Sequence, residues 1–257
     1  MREVLRAIDT GVGPSRWNVA VTAALIELHR AKCIPDTIRF HRYPRSVLVG
    51  RHRHLQEEVD IERCRKDGVE IARRLTGGGT VYMCPSILAW DIVTQRYALG
   101  DRLAEASMLI GSTMAAGLRR LGLAANFNAS GDLEIDGRKI GGSCGSFEGR
   151  STIMQGTILI DFDRDEMAGL LTGRSGKPLS RLASLSQCLG RVPSVEEVKG
   201  CLLAELAQAW RASISHEEFD SDELAVAERL LAGEVGSDQF VAGQTMESAA
   251  IPNLPWR

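Results

Sequence analysis

Three consecutive glycines, Gly77-Gly78-Gly79, lie between the pair Arg73-Arg74 and the apolar stretch Val81-Tyr82. Each glycine costs a helix or strand interior roughly 0.5–1 kcal/mol relative to alanine, so the run forces a loop between two flanking elements. Backbone without Cβ atoms also admits a ligand closely. Successive N–H groups in such a loop make an anion-binding concavity, which Arg73 and Arg74 would reinforce. The other reading is a flexible turn between two strands. The run is not followed by Lys-Ser/Thr and does not open a helix, which speaks against a phosphate-loop NTPase and a Rossmann dehydrogenase.

Strand signals dominate on both sides. Thr37-Ile38-Arg39-Phe40-His41 alternates as a half-buried strand, Ser46-Val47-Leu48-Val49-Gly50 is an apolar strand closed by glycine, and Ile87 to Val93 reads as a central strand. Asp136-Gly137 is a two-residue hairpin signal between Leu133-Glu134-Ile135 and Arg138-Lys139-Ile140, and a second hairpin turns at Glu148-Gly149. Helices are expected over 17–29 with Asn18 as capping candidate, and over 60–66, 101–121, 163–171 and 222–231. Ser194 and Glu197 read as a capping box opening a helix through Trp210. Strands from about residue 38 to 160, with helices laid against them, predict an α+β fold with a mixed or antiparallel sheet.

The chain has 257 residues, 44% hydrophobic and 25% charged, as in an ordinary globular protein. A net charge of −2 offers nothing to nucleic acid or to an anionic membrane. Charges interrupt the N-terminus too often for a signal peptide, and no stretch approaches ~18 uncharged apolar residues, so a cytoplasmic protein is expected. Six cysteines (Cys33, Cys64, Cys84, Cys144, Cys188, Cys201) form no C-x-x-C pair. Zinc is not expected, and most read as small core residues. Cys84 and Cys144 stand apart, since they fall beside the glycine run and the Lys139 hairpin.

The ordered series Ser46 to Arg51, Arg73 to Tyr82, Gly131-Asp132-Leu133, Asp136-Gly137-Arg138-Lys139-Ile140-Gly141-Gly142-Ser143 and Gln155-Gly156-Thr157 resembles the lipoate-protein ligase family. That family shares its fold with biotin-protein ligases and octanoyltransferases. The resemblance implies a catalytic domain over residues 1–190, with 191–257 as a helical extension loosening into a tail from Gly243. It implies that lipoate is activated with ATP and Mg2+ to lipoyl-AMP, and that the lipoyl group passes to one lysine of a lipoyl carrier domain. The carrier would be a glycine cleavage H-like protein or the lipoyl domain of a 2-oxoacid dehydrogenase E2. Lys139 occupies the place of the lysine that contacts the acyl adenylate. Arg51, Arg74, Thr76, Gly77, Gly78, Gly79, Val81, Tyr82, Gly142, Ser143, Gly156 and Thr157 are expected around the same ligand, and strands near Val49, Val81, Trp90 and Ile140 are expected to supply an apolar tunnel. From its own spacing Arg51 is equally a solvated surface arginine. Asp132 is either a magnesium ligand, since a hard cation bridging phosphates needs carboxylate oxygen, or a plain turn aspartate.

Several positions depart from the family pattern. Gln155 and Met83 stand where histidines are common, and the acidic residue usual after Asn18-Val19-Ala20 is missing. The chain ends too soon for a full accessory domain, which leaves room for a separate accessory subunit. The competing mechanism is a cysteine-dependent transferase moving octanoate or lipoate between carrier proteins without ATP. Related octanoyltransferases carry that cysteine upstream of the lysine hairpin, where this chain has Asn126-Phe127-Asn128-Ala129-Ser130 and no thiol. Cys84 and Cys144 are then the candidates. A non-catalytic subunit that binds lipoyl domains is a third reading.

Overall fold

The structure is a computed structural model that describes residues 4–96, 98–172 and 179–243; the tail expected after Gly243 lies outside them. The chain opens with β1 (Val4–Val12), α1 (Ser15–Arg30), β2 (Thr37–Arg42) and β3 (Ser46–Val49). Next come α2 (Leu55–Glu58), α3 (Ile61–Asp67), β4 (Glu70–Arg73), β5 (Val81–Met83) and β6 (Ile87–Gln95). The middle holds α4 (Leu103–Arg119), β7 (Asn126–Phe127), β8 (Asp132–Ile135), β9 (Arg138–Glu148) and β10 (Ser151–Leu159). The remainder holds α5 (Arg164–Leu170), α6 (Leu185–Leu189), α7 (Val195–Trp210), β11 (Ser213–His216), α8 (Ser221–Leu230) and α9 (Asp238–Ala242).

Two sheets result, and the architecture is the expected α+β. The large sheet has eight strands in the order β11-β1-β2-β6-β10-β9-β8-β7, and the small one runs β4-β3-β5. Pairing is parallel in β11-β1-β2 and antiparallel from β2 onward, so the large sheet is mixed. Its strand β1 carries Arg6 and Asp9 between apolar residues, which hid it in the sequence; Arg6 is buried because Glu217 and Glu223 neutralise it. Helices α4 and α7 cover one face over Ile38, Phe40, Trp90, Ile92, Met154 and Ile158. The other face meets α1 and the small sheet over Ala89, Val93, Ile153 and Leu159. The central strand β6 reads as a continuous apolar run because both of its faces are covered. No helix among the described residues is long and apolar enough to cross a membrane.

Two local expectations are corrected. Pro14 rather than Asn18 stands at the N-cap position of α1, without a side-chain cap; the Asn18 side chain instead donates to the carbonyls of Gly13 and Arg42, tying the helix start to β2. Ser194 does cap α7 through the Glu197 amide, but the Glu197 carboxylate pairs with Arg191 rather than closing a capping box.

A polar row crosses the α1 face of the large sheet. Arg39 on β2 sits opposite Asp91 on β6, Asp91 opposite Gln155 on β10, and Gln155 opposite Cys144 on β9. One row further along lie His41, Ala89, Thr157, Gly142 and Asp132. Buried Asp91 accepts from Thr22 of α1 at 2.8 Å, from the Gln155 amide at 2.8 Å and from Arg39 at 3.3 Å. His41 contacts Tyr43 OH at 3.1 Å, and burial with the nearby Arg39 charge pushes its pKa well below the usual histidine range.

Two outcomes follow from this packing. A Cβ at Gly117 of α4 would lie 2.9 Å from Leu202 Cδ2 of α7 and 3.1 Å from the Cys201 carbonyl. Gly117→Val should therefore cost about 1–3 kcal/mol by overpacking, read from urea unfolding, and Leu202→Ala in the same chain should recover part of it. His41 stays neutral in the fold, whereas an unfolded histidine gains a proton below pH ~6.5. The unfolded state then binds more protons, so stability falls as pH falls through that value, at most ~1.4 kcal/mol per unit. Between pH 6.5 and 5 the parent should lose about 1.6 kcal/mol more than His41→Asn does; parallel losses would mean that burial does not keep His41 neutral.

Candidate active site

Between the large sheet and the small one lies a cavity of about 370 Å³, within the usual range for small-molecule sites. Leu48, Val81, Leu159, Met167, Leu171, Leu179 and Leu182 make its apolar wall. Asp132, Cys144, Gln155 and Thr157, which the two cross-strand rows already bring to one face, make its polar wall together with Lys139 and Ser143. Val81 and Trp90 line the cavity, whereas Val49 and Ile140 lie buried in the core on its two sides.

Lys139 reaches this face through a β-bulge. Leu133 pairs with Gly141 while the next residue of β8, Glu134, pairs with Lys139, so Ile140 is an extra residue in β9. In a regular strand Lys139 and Gly142 would point to opposite faces; the inserted residue returns them to the same one. The geometry agrees, since a Cβ at Gly142 would lie 2.9 Å from Lys139 Nζ. Glycine there leaves the ammonium its place. Asp132 Oδ1, 2.6 Å from Nζ, holds it, and the Ala183 amide fixes the Lys139 carbonyl at 2.8 Å. Asp136 and Gly137 both have positive φ, 50° and 70°, as the expected tight hairpin turn requires.

The glycine run is braced rather than free. Arg74 donates to the carbonyls of Leu48 at 3.2 Å, Gly77 at 2.7 Å and Gly79 at 2.6 Å. Its guanidinium thus spends donors on the loop instead of presenting them to a ligand, although the side chain borders the cavity with Gly78 and Gly79. Arg73, fully buried, holds the carbonyls of Gly50, Arg51 and Arg53 on one side and of Phe240 and Val241 on the other. Arg51 does not line the cavity: it donates to the Leu75 carbonyl at 3.2 Å and lies 4.0 Å from Glu148. Gly77 also stays outside the lining, as does Thr76, whose hydroxyl nevertheless meets Cys144 Sγ at 3.0 Å and Gln155 Oε1 at 2.7 Å. Tyr82 lines the cavity with its hydroxyl bonded to Glu166. Gly142, Ser143, Gly156 and Thr157 line the cavity, on or beside the polar wall.

The two motif cysteines separate. Cys84 is buried outside the cavity, with its thiol pKa pushed up by burial. Cys144 lines the cavity two residues along β9 from Gly142, a Cα spacing of about 7 Å. Asp132 is paired with Lys139, and among the described residues no group of three His, Cys, Asp or Glu side chains could hold a metal. A resident magnesium site therefore does not fit; the ion would need phosphate oxygens to complete its shell. Sequence reasoning passed over Asp91, whose signal was one charge inside the apolar run Ile87 to Val93, and over the Gln155 side chain.

Residues 14–207 match the family described as lipoyl protein ligase A/B catalytic domain. Octanoyltransferase LipM of Geobacillus kaustophilus is 25% identical over 93% of this chain and 98% of its own length. LipM of Bacillus subtilis is 23% identical over the same shares. The fold superposes on a lipoate-protein ligase A bound with ATP with a TM-score of 0.83 at 23% identity, covering 95% of this chain and 99% of that one. It superposes on a bi-partite lipoate protein ligase of Thermoplasma acidophilum, described with its E2 lipoyl domain, with a TM-score of 0.84 at 22% identity, over 98% and 100%. With well over half of its length matched and the ligase fold around its cavity, this chain belongs to the lipoyl protein ligase A/B catalytic domain family.

Proposed function

We propose that this chain moves an octanoyl or lipoyl group from one carrier protein to a lysine of a lipoyl domain, through a thioester on Cys144. The observation that carries this reading is a thiol and an ammonium on one face of the sheet, at the polar wall of an apolar cavity. The naming of the LipM relatives as octanoyltransferases supports it over the ATP-dependent ligase first expected. The acyl chain would lie along the leucines, with its carbonyl between Lys139 and Cys144. The donor is a thioester: Cys144 Sγ bonds its acyl carbon, the donor's carbon–sulfur bond breaks, and the donor's thiol departs with the proton that Cys144 gives up. The acceptor amine then displaces sulfur, forming the amide, and Cys144 regains a proton. Lys139 supplies positive charge where the carbonyl oxygen turns negative in both steps. Acceptors would be an E2 lipoyl domain or a glycine cleavage H-like protein, in a cytoplasm that keeps the thiol reduced.

The ligase remains a second reading for one specific reason. The stretch Asn126 to Ser130, where related transferases carry their thiol, has none, and Lys139 would serve the bridging oxygens of lipoyl-AMP equally well. Magnesium would then arrive with ATP.

The test mixes purified chain, an octanoyl-loaded carrier and an apo lipoyl domain without nucleotide, and reads the acceptor mass. Transfer is expected, with an acid-stable octanoyl adduct on Cys144. Cys144→Ser should abolish transfer, Lys139→Ala should lower it on the order of 100-fold, and Cys84→Ser should stay within a few fold of the parent. Product that appears only with lipoate and Mg-ATP, and persists in Cys144→Ser, would establish the ligase. Gly78 has φ 94°, and a Cβ there would lie 2.9 Å from Arg74 Nη2. Gly78→Val should weaken acyl-substrate affinity more than tenfold, about 1.4 kcal/mol, and also lower the unfolding midpoint, because valine is strained at that φ; unchanged titration calorimetry would reduce the glycines to a turn.

A further inference from the structure

Among the described residues every group in hydrogen-bond contact with Asp91 is a donor: the Thr22 hydroxyl, the Arg39 guanidinium and the Gln155 amide nitrogen. That contact fixes which way the Gln155 amide faces, because a carboxylate accepts and cannot donate. Oε1 must then face Thr76, and a carbonyl oxygen can only accept, so the single Thr76 hydroxyl proton is committed to Gln155 at 2.7 Å. The 3.0 Å contact between Thr76 Oγ1 and Cys144 Sγ consequently has one donor left, the thiol. We propose that Asp91, Gln155 and Thr76 are positioning residues for Cys144, forming a one-way hydrogen-bond chain that starts at a buried carboxylate and ends by holding the thiol proton on Thr76. This deepens the thioester reading of the site and rests on it.

The chain orients and does not conduct. Gln155 cannot take up a proton, so when Cys144 forms its thioester the proton leaves with the departing thiol, and Thr76 keeps its own. With the S–H vector tied to Thr76, the sulfur lone pairs are turned away from that contact, toward the cavity that Cys144 lines. Removing Gln155 would release the Thr76 hydroxyl to rotate and donate to sulfur, which favours the reactive thiolate. Removing the hydroxyl as well would take that donor away.

The test reads alkylation of Cys144 by iodoacetamide at pH 7, resolved by peptide mass and run without any acyl substrate. Gln155→Met should alkylate at least threefold faster than the parent. The double variant Gln155→Met/Thr76→Val should lose that increase, and Thr76→Ser, which keeps the hydroxyl, should behave like the parent. In the transfer assay Gln155→Met and Thr76→Val should lower kcat about tenfold with KM within twofold, and Thr76→Ser should retain the parent rate. Circular dichroism confirms that each variant is folded. A parent-like alkylation rate in Gln155→Met, or a rise that survives loss of the Thr76 hydroxyl, overturns the chain even where transfer proceeds. Transfer that survives Cys144→Ser overturns the thioester instead, whatever the alkylation rates.

Discussion

The contact between Arg39 and Asp91 is the one on which the remaining arrangement depends. Both groups are fully buried, and burial acts on them in opposite directions, pushing the carboxyl pKa up and the guanidinium pKa down. Breaking such a pair by removing one partner leaves an uncompensated buried charge, a loss on the order of 3–5 kcal/mol. Replacing both groups by hydrocarbon is often neutral, so the pair is weak evidence for stability and better understood as specifying register. It fixes β2 against β6, and through Thr22 and Asn18 it seats α1 on the same strands. Gln155 carries that register one strand further, to the edge of the cavity.

Around the cavity, cations hold backbone more often than they face ligand. Arg74 closes the glycine loop from inside, and Arg73 binds carbonyls from two distant segments, with no carboxylate partner among the described residues. Guanidinium suits this task because its planar fork supplies several donors in fixed directions. A loop with little side-chain packing of its own is thereby given a definite shape. Lys139 differs: its compact ammonium sits at the polar wall, paired with Asp132 and open to the cavity.

Much of the fold was legible because local chemistry and tertiary context agree. The Asp136-Gly137 turn, the Ser194 cap and the apolar strand Ile87 to Val93 each form where their residue types demand. Gly78, Gly79, Lys139 and Thr157, named by pattern, line the cavity. What escaped depended on pairing at long range. Strand β1 is stabilised by parallel neighbours, and its buried Arg6 is matched by residues more than 200 positions away, so no window of sequence reveals it. Ile140 looks like any strand residue, and only its opposition to β8 makes it a bulge. Arg74 looked like a ligand group because its acceptors are carbonyls, which every residue possesses and no motif records.

The Arg73 clamp has a consequence for the order in which the molecule is made. Its donors reach Phe240 and Val241, 167 and 168 residues onward, while its other contacts fix Gly50, Arg51 and Arg53 next to the glycine loop. Contacts of such long sequence separation close late, because the intervening chain must be gathered before they reward it. On the ribosome, the clamp cannot close until Phe240 and Val241 have emerged. The loop beside the polar wall is therefore finished only after Val241 has been made, and a chain cut short before Phe240 would leave the Nε and Nη2 donors of a buried guanidinium without these acceptors.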